Sequence, residues 1–196
     1  MARTKYGKRR TVPYRRKRES KTNYKKRLAL LKSGQNRLVI RKSLNTITAQ
    51  IVNYHPDGDR VVVSATSTEL GKLGWKMHKA NLPSAYLTGL LLGIKAKKSK
   101  VSKAVLDLGL QIPIKGGKLF AALKGTVDAG MDISHYEDAL PSEDRVSGKH
   151  IAEYAAAIKP DQQIYARQFS KYLKENVNPE DAGRMFEETK KKILAS

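Results

Sequence analysis

The sequence of 196 residues is long enough for one substantial α/β domain with extensions, or for two small domains. It contains no cysteine, which excludes disulfides and thiolate metal sites, and its formal net charge of +21 favours nucleic acid as a partner over an anionic membrane. No apolar run is long enough to span a bilayer, and the basic N-terminus is not followed by the apolar segment of a secretory signal. We therefore expect a soluble intracellular protein.

The positive charge is concentrated at the beginning of the chain. Residues 1–42 contain 17 lysines and arginines and one acidic residue, Glu19. Residues 1–21 have few aliphatic side chains, so this arm cannot fold alone and needs a polyanion to neutralise it. Its arginines can fork onto phosphate oxygens, and its tyrosines, among them Tyr14, can stack on unpaired bases. A targeting patch or a solubilising tail is the alternative interpretation.

A short amphipathic helix is predicted after the arm. Ser20 or Thr22 can cap its N-terminus, and Gly34 can end it. Its apolar side chains recur at helical spacing, so we expect them to pack on protein: Tyr24, Leu28 and Leu31. The opposite face carries three cations and is expected to be free for a polyanion: Lys25, Lys26 and Lys32.

An antiparallel meander of three strands is predicted next. The strands cover Arg37–Ser43, Ile47–Tyr54 and Arg60–Ala65, and residues 55–59 form the second turn. One face of the second strand is apolar and should face the core: Ile47, Ala49 and Ile51. Thr66 and Glu69 then have the spacing of a capping box, which favours a short helical turn.

Two helices and a fourth strand follow. Asn81 can cap the first helix, with Pro83 tolerated in its first turn. A basic loop, Lys95–Lys103, then leads into a strand at Ala104–Leu108, and the second helix begins at Gly117 or Lys118 and stops at Gly130. The predicted order is β-β-β-α-β-α, and a right-handed crossover places strand four parallel to strand one in a mixed α/β sheet.

The remaining residues differ in character, because residues 131–196 contain 10 basic and 12 acidic residues. Helix starts are predicted at Ser147, at Asp161 and at Asn178–Asp181, and we expect these helices to dock on protein or on the domain itself rather than on RNA. The chain is therefore divided into a basic arm with a short helix (1–34), an α/β core domain (35–130) and a helical C-terminal extension (131–196).

The β-β-β-α-β-α order is also that of ribonuclease-H-like nucleases, so an enzyme must be considered. Two-metal phosphoryl chemistry needs a cluster of carboxylates beginning on the first strand. That strand carries Arg41 and Lys42 instead, and Asp107 on the fourth strand has no evident carboxylate companion. The four histidines show no paired ligand spacing. We therefore predict no catalytic residue, no metal and no cofactor.

A Gly-Gly pair opens the second core helix. In the segment Lys115-Gly116-Gly117-Lys118, free backbone N–H groups at the helix start and the two lysine ammoniums could hold one phosphate. Such a pair before a helix is more often only a turn, and both interpretations stay open.

Successive blocks of the sequence resemble the large-subunit ribosomal protein family that carries 5S rRNA, the L-eighteen family, in its archaeal form. The blocks are RRKRESKTNYKKRLALLKSGQNRLVIRKS, ITAQIV, NLPSAYLTGLLLGIKA, AVLDLGL, KLFAALKGTVDAGMDI and PSEDRVSGKHIA. They occur in the expected order between about Tyr14 and Ala157, and the length of the chain suits the archaeal type.

The resemblance implies a ribonuclease-H-like topology without catalysis. It also implies binding to 5S rRNA and to the large-subunit rRNA, in the central protuberance of the cytoplasmic ribosome and beside other large-subunit proteins. The charge pattern and the resemblance together predict these RNA-binding residues: Arg9, Arg10, Tyr14, Arg15, Arg16, Lys17, Arg18, Lys21, Tyr24, Lys25, Arg27, Arg37, Arg41, Lys42, Ser43, Gln50, Gly116, Gly117 and Lys118. The competing hypotheses are a phosphoryl-transfer nuclease on the same topology and a polybasic membrane-surface protein.

Overall fold

The computed structural model of the protein describes residues 12–195, and its centre is a four-stranded sheet. The strands are β1 (Arg37–Lys42), β2 (Ile47–Asn53), β3 (Arg60–Thr66) and β4 (Val105–Asp107). They lie in the order β3-β2-β1-β4. The first three pair antiparallel, and β4 pairs parallel with β1. This mixed α/β sheet confirms the predicted meander and the parallel fourth strand.

The sheet has one apolar face and one mixed face, because successive side chains point to opposite sides. The apolar face carries fully buried aliphatic side chains: Leu38, Ile40, Ile47, Ala49 and Ile51. The three that were predicted on β2 are among them. The mixed face carries Val39, Arg41 and Gln50, which are half-buried.

Between residue 12 and the sheet lie two short helices, α1 (Arg15–Arg18) and α2 (Tyr24–Leu31). Asn23 caps α2, its Oδ1 accepting from the Lys26 N–H at 3.1 Å, so the prediction of a Ser20 or Thr22 cap was wrong. The predicted packing of the apolar face was wrong for Leu28, which is 58% exposed, whereas Tyr24 and Leu31 are half-buried and no residue of α2 is fully buried. Gly34 has a φ of +67°, a conformation that suits the glycine at a helix end.

Two long helices cover the apolar face of the sheet, α3 (Leu82–Lys98) and α4 (Lys118–Asp128). Asn81 caps α3 as predicted, accepting from the Ser84 N–H at 2.9 Å. The helices approach so closely that a Cβ at Gly89 would collide with the Ala122 carbonyl group. The predicted loop from Lys95 is helical as far as Lys98. No helix among residues 12–195 is both long and apolar enough to cross a membrane.

Five helices make up the C-terminal part: α5 (Glu143–Ser147), α6 (Lys149–Ile158), α7 (Gln162–Gln168), α8 (Ser170–Lys174) and α9 (Ala182–Leu194). Ser147 ends α5, and Gly148 at φ +86° begins α6, so the predicted Ser147 cap was wrong. Asp161 does cap α7, but the helix is interrupted at Phe169.

The last helix joins the C-terminal part to the core. Phe186 and Ile193 of α9 are buried in the same hydrophobic cluster as α3. The ring centroid of Phe186 lies 5.6 Å from that of Tyr86 on α3. This packing confirms the expectation that the extension docks on the domain itself.

Candidate nucleic-acid interface

A groove of about 1020 Å³ lies between the N-terminal helices and the mixed face of the sheet. Cations from both sides line it, and we call it the arm groove: Arg16, Lys21, Lys26, Arg27, Arg37 and Arg41. Gln50 lies on its floor, as part of the sheet. The predicted arm, helix and first-strand residues are therefore brought together around one depression.

A chain of ion pairs, rather than apolar contact, connects α2 to the sheet. The Arg27 guanidinium donates to both carboxylate oxygens of Asp59, at 2.7 and 2.8 Å. Arg37 donates to Asp59 at 2.6 Å and to Asp107 at 2.9 Å. The hydrogen bonds from Arg27, followed by those from Arg37, lower the pKa of Asp59 despite its partial burial. The bidentate pairing of Arg27 with Asp59 explains how α2 is positioned although no residue of the helix is fully buried.

Arg37 does not belong to the accessible interface. Its side chain is only 4% exposed, and two carboxylates already accept from its guanidinium. A phosphate could reach it only by displacing Asp59 or Asp107, which would leave a buried charge without its partner. The RNA contact of Arg37 stays a prediction, and in the structure Arg37 is the centre of the ion-pair chain.

Arg41 is shared between the sheet and the groove. Its guanidinium donates to the Asp107 carbonyl oxygen at 2.6 Å and to the Asp107 carboxylate at 3.1 Å. Its side chain is still 42% exposed, so part of the guanidinium faces the groove. The Arg27 side chain is 31% exposed, so an edge of its guanidinium is accessible as well.

Most other cations of this region have no carboxylate partner. Among residues 12–195, seven cations between positions 15 and 42 form no ion pair: Arg16, Lys17, Arg18, Lys25, Lys26, Lys32 and Lys42. Arg15 and Lys21 share Glu19, at 2.8 and 2.9 Å. The surface therefore has a large excess of positive charge held on short, defined elements.

The predicted aromatic residues lie beside these cations. The ring centroids of Tyr14 and Tyr24 lie 5.2 Å apart, and Tyr14 is 73% exposed. An exposed ring of this kind offers a face on which a base can stack. Arg9 and Arg10, which were predicted with them, lie outside the described residues.

Ser43 and Lys42 mark the end of β1. The Ser43 hydroxyl accepts from the Thr46 N–H at 2.9 Å, so it organises the turn into β2. The backbone of Lys42 is held from both sides by the Gln111 side chain. That backbone clamp leaves the ammonium of Lys42 exposed to solvent.

The Gly116–Lys118 turn lies away from the arm groove. Gly116 N–H donates to the Ala139 carbonyl at 2.9 Å, and Gly117 N–H donates to the Ile114 carbonyl at 3.0 Å. Neither amide is therefore free for the phosphate that the sequence suggested. Lys118 borders a second cavity of about 630 Å³, which we call the extension cavity because α5, α6 and α8 contribute to its wall.

Sequence reasoning missed the two aspartates that organise the arm groove, and it missed the second cavity. Asp59 and Asp107 were treated as a turn residue and as an isolated strand carboxylate. The one local indication that Asp107 pairs with arginines is that it is a single acidic residue on a strand beside the basic strand β1. Both oxygens of Asp107 accept from arginines, and the described residues contain no cluster of three metal-binding side chains.

Comparisons with known proteins place the chain in a family. The family model described as ribosomal large subunit proteins 60S L5 and 50S L18 matches residues 8–101 and 94–136. The chain is 55% identical to the large ribosomal subunit protein uL18 of Methanococcus maripaludis over 183 residues, which cover 93% of this chain and 95% of the relative. The predicted resemblance, including its archaeal type, is confirmed. The chain thus belongs to the L5/L18 family of large-subunit ribosomal proteins.

Proposed function

We propose that the protein is a structural component of the large ribosomal subunit that binds 5S rRNA and attaches it to the large-subunit rRNA in the cytoplasmic ribosome. The observation that carries the proposal is the unpaired positive charge around the arm groove. Residues 12–42 contain twelve lysines and arginines against one glutamate. Such a surface is stable beside a phosphate backbone, because each cation neutralised by RNA releases a condensed counterion.

The three parts of the chain then have different tasks. The arm and α2 (1–34) contact RNA, the α/β core (35–130) supports them, and the extension (131–196) packs on the core and faces neighbouring large-subunit proteins. We propose a ribonuclease-H-like topology for the core, used as a scaffold. The ion pairs of Arg27 and Arg37 with Asp59 support this division, since they fix the RNA-contacting helix on the sheet.

Contacts in the arm groove would be of two kinds. The guanidinium groups of Arg16 and Arg18 can donate two hydrogen bonds to phosphate oxygens, while the ring of Tyr14 can stack on an unpaired base. Gln50 and Arg41 lie on the floor of the groove, where a backbone held by the arm would pass. Phosphate contacts position such a protein, and the few base contacts specify the site.

Filter binding with 5S rRNA between 50 and 200 mM salt tests the proposal. The variant Arg16→Gln/Lys17→Gln/Arg18→Gln removes three unpaired cations of α1. Each phosphate contact contributes roughly 0.7–0.9 to the slope of log affinity against log salt, so the slope should fall by about 2 to 3.

The matched control removes the same charge elsewhere, as Lys76→Gln/Lys100→Gln/Lys191→Gln. These residues are exposed and lie outside the arm groove. The control should change the slope by less than one. A wild-type affinity that does not depend on salt, or equal losses in both variants, would contradict the proposal.

A nuclease remains the competing function to test. Asp107 is held by Arg37 and Arg41, which leaves its carboxylate neutralised rather than open to Mg²⁺. We expect no magnesium-dependent cleavage when purified protein is incubated with 5S rRNA. Cleavage that disappears in Asp107→Asn would favour the enzyme.

A further inference from the structure

The extension cavity differs in composition from the arm groove. Cations from three separate parts of the chain border it: Lys42 at the end of β1, Lys118 at the start of α4, and Arg145 on α5. None of the three forms an ion pair with a described carboxylate, and the described residues that line the cavity include no aspartate or glutamate. The cavity therefore concentrates positive charge that the described chain does not neutralise.

The titratable side chains in the wall show the effect of this charge. Burial lowers the pKa of Lys118, and the nearby Lys42 lowers it further. Burial also lowers the pKa of His78, with added repulsion from Lys118 and Lys171, and the pKa of His150, with added repulsion from Arg145. Burial is the larger cause of each shift, and Asp144 and Glu153 act in the opposite direction on the pKa of His150. An anion in the cavity would be stabilised by the cations that line it.

Backbone and amide donors face the same space. Gly117 offers no side-chain cap to α4, so the first N–H groups of this 11-residue helix have no capping partner. Asn81 also lines the cavity, and its Nδ2 has no hydrogen-bond partner among the described residues. A phosphate bound here would lie near the N-terminus of α4 and the cations that line the cavity.

An aromatic wall lies opposite, formed by α6 and the break between α7 and α8. The ring of Phe169 lies 6.2 Å from that of Tyr154 and 5.9 Å from that of Tyr172, between centroids. Phe169 is 5% exposed, and the Tyr172 hydroxyl accepts from the His78 N–H, so these two rings are fixed. Tyr154 is 47% exposed, so part of its ring is accessible. Such a ring can stack on any base.

We propose that the extension cavity binds one nucleotide of ribosomal RNA, with its phosphate at Lys42, Lys118 and Arg145 and its base against Tyr154. The proposal rests on the RNA-binding function proposed above and adds a second contact, which the C-terminal helices complete. The volume of about 630 Å³ lies within the range of roughly 300–1,000 Å³ usual for small-molecule sites. Lys42 ends the strand that also carries Arg41 of the arm groove, so the two sites are joined along β1.

The first test is ultraviolet cross-linking of native large subunits followed by mass spectrometry of the protein's peptides. A nucleotide adduct is expected on the peptide that contains Tyr154, in addition to adducts on the N-terminal segment. If adducts occur on the N-terminal segment alone, or if a protein is found cross-linked at Tyr154, the proposal is overturned while the function of the arm stands.

The second test measures the affinity of full-length variants for 5S rRNA and, separately, for total large-subunit rRNA. Tyr154→Leu should weaken binding to one of the two RNAs by about 5- to 150-fold, which corresponds to one lost base stack, and Tyr154→Phe should keep the affinity. Tyr136→Leu is the matched aromatic control, since Tyr136 is 87% exposed and lies outside the cavity.

Charge variants complete the design. Lys118→Gln should lower the salt slope for the same RNA by about 0.7–0.9, whereas Lys100→Gln, beyond the opposite end of α3 from Asn81, should leave it unchanged. Circular dichroism confirms that each variant is folded. The proposal is overturned if Tyr154→Leu and Lys118→Gln bind both RNAs like their controls. If the variant Arg16→Gln/Lys17→Gln/Arg18→Gln also kept the wild-type salt slope, the proposed function would be refuted.

Discussion

The two ends of the chain are both helical, but they are attached to the core in different ways. Helix α9 at the C-terminus buries Phe186 and Ile193 in the central hydrophobic cluster. Helix α2 at the N-terminus buries no residue and is held by the ion pairs from Arg27 to Asp59. The first attachment depends on removing apolar surface from water, and the second depends on charge and geometry.

The difference follows from the task of each surface. A helix that buries an apolar stripe adds stability and leaves its polar side to solvent. A helix that must present cations to a large polyanion gains from a shallow attachment, because deep burial would desolvate its charges. We therefore expect α2 to contribute little to folding and α9 to contribute much.

The largest effect expected from this comparison is on stability. Phe186→Ala removes a ring that is 2% exposed and packs against Tyr86, so it should lower the free energy of unfolding by about 3–5 kcal/mol. Leu28→Ala in α2 is the control, since that side chain is 58% exposed, and its effect should stay within about 0.5 kcal/mol. Urea unfolding measures the free energy of unfolding of both variants. Equal losses would show that α2 is packed as tightly as α9.

The next effect concerns the ion-pair chain beneath the arm groove. Asp107→Asn takes a charge from a carboxylate that is 9% exposed and leaves the buried Arg37 with one carboxylate partner. A lost hydrogen bond to a charged group costs about 1.5–3 kcal/mol, and we expect a loss in that range by urea unfolding. The conservative Asp138→Asn, on the exposed turn at Glu137–Ala139, should be neutral. An Asp107→Asn protein as stable as wild type would show that Arg37 does not need this partner.

The sequence predicted the core well because its signals are local. Alternating aliphatic residues on β2, the cap at Asn81 and the glycines around α4 each act within a few residues of the feature they define. The meander, the parallel strand and both core helices followed from them. The starts of α2 and α6 were misplaced because several neighbouring residues could cap each helix, and the observed backbone uses Asn23 and Gly148.

The arm groove was harder to predict because its geometry depends on distant partners. Arg37 was assigned to RNA from the first-strand motif of the family resemblance, yet its two carboxylates lie 22 and 70 positions further along the chain. Nothing near Arg37 distinguishes a buried guanidinium from an exposed one. The extension cavity was missed for the same reason, since Lys42 and Lys118 lie far apart in the sequence and Arg145 borders the cavity only once the C-terminal helices are placed.

A smaller effect should appear on acidification. Hydrogen bonds from Arg27 and Arg37 hold the pKa of Asp59 below its ordinary value, so its contribution is complete above about pH 4 and is lost as the pH falls through the folded-state pKa. Asp59→Asn should therefore flatten the decline of stability between about pH 4 and pH 2. Urea unfolding across pH 2–7 measures this. Asp132→Asn, at a surface ion pair with Lys103, is the control and should retain the wild-type decline.

The smallest effect concerns Glu19, the single acidic residue among positions 1–42. Its carboxylate pairs with Arg15 and Lys21 on the open surface, and these two cations, in that order, lower its pKa. Glu19→Gln releases both for RNA, so the salt slope for 5S rRNA should become steeper by up to roughly two phosphate contacts, while the urea midpoint should not change. Glu188→Gln on α9, which removes the same charge far from the arm, should leave the slope unaltered. If Glu19→Gln instead weakened RNA binding, Glu19 would be orienting Arg15 and Lys21 for the phosphates, and the arm would act as an ordered site as well as a source of charge.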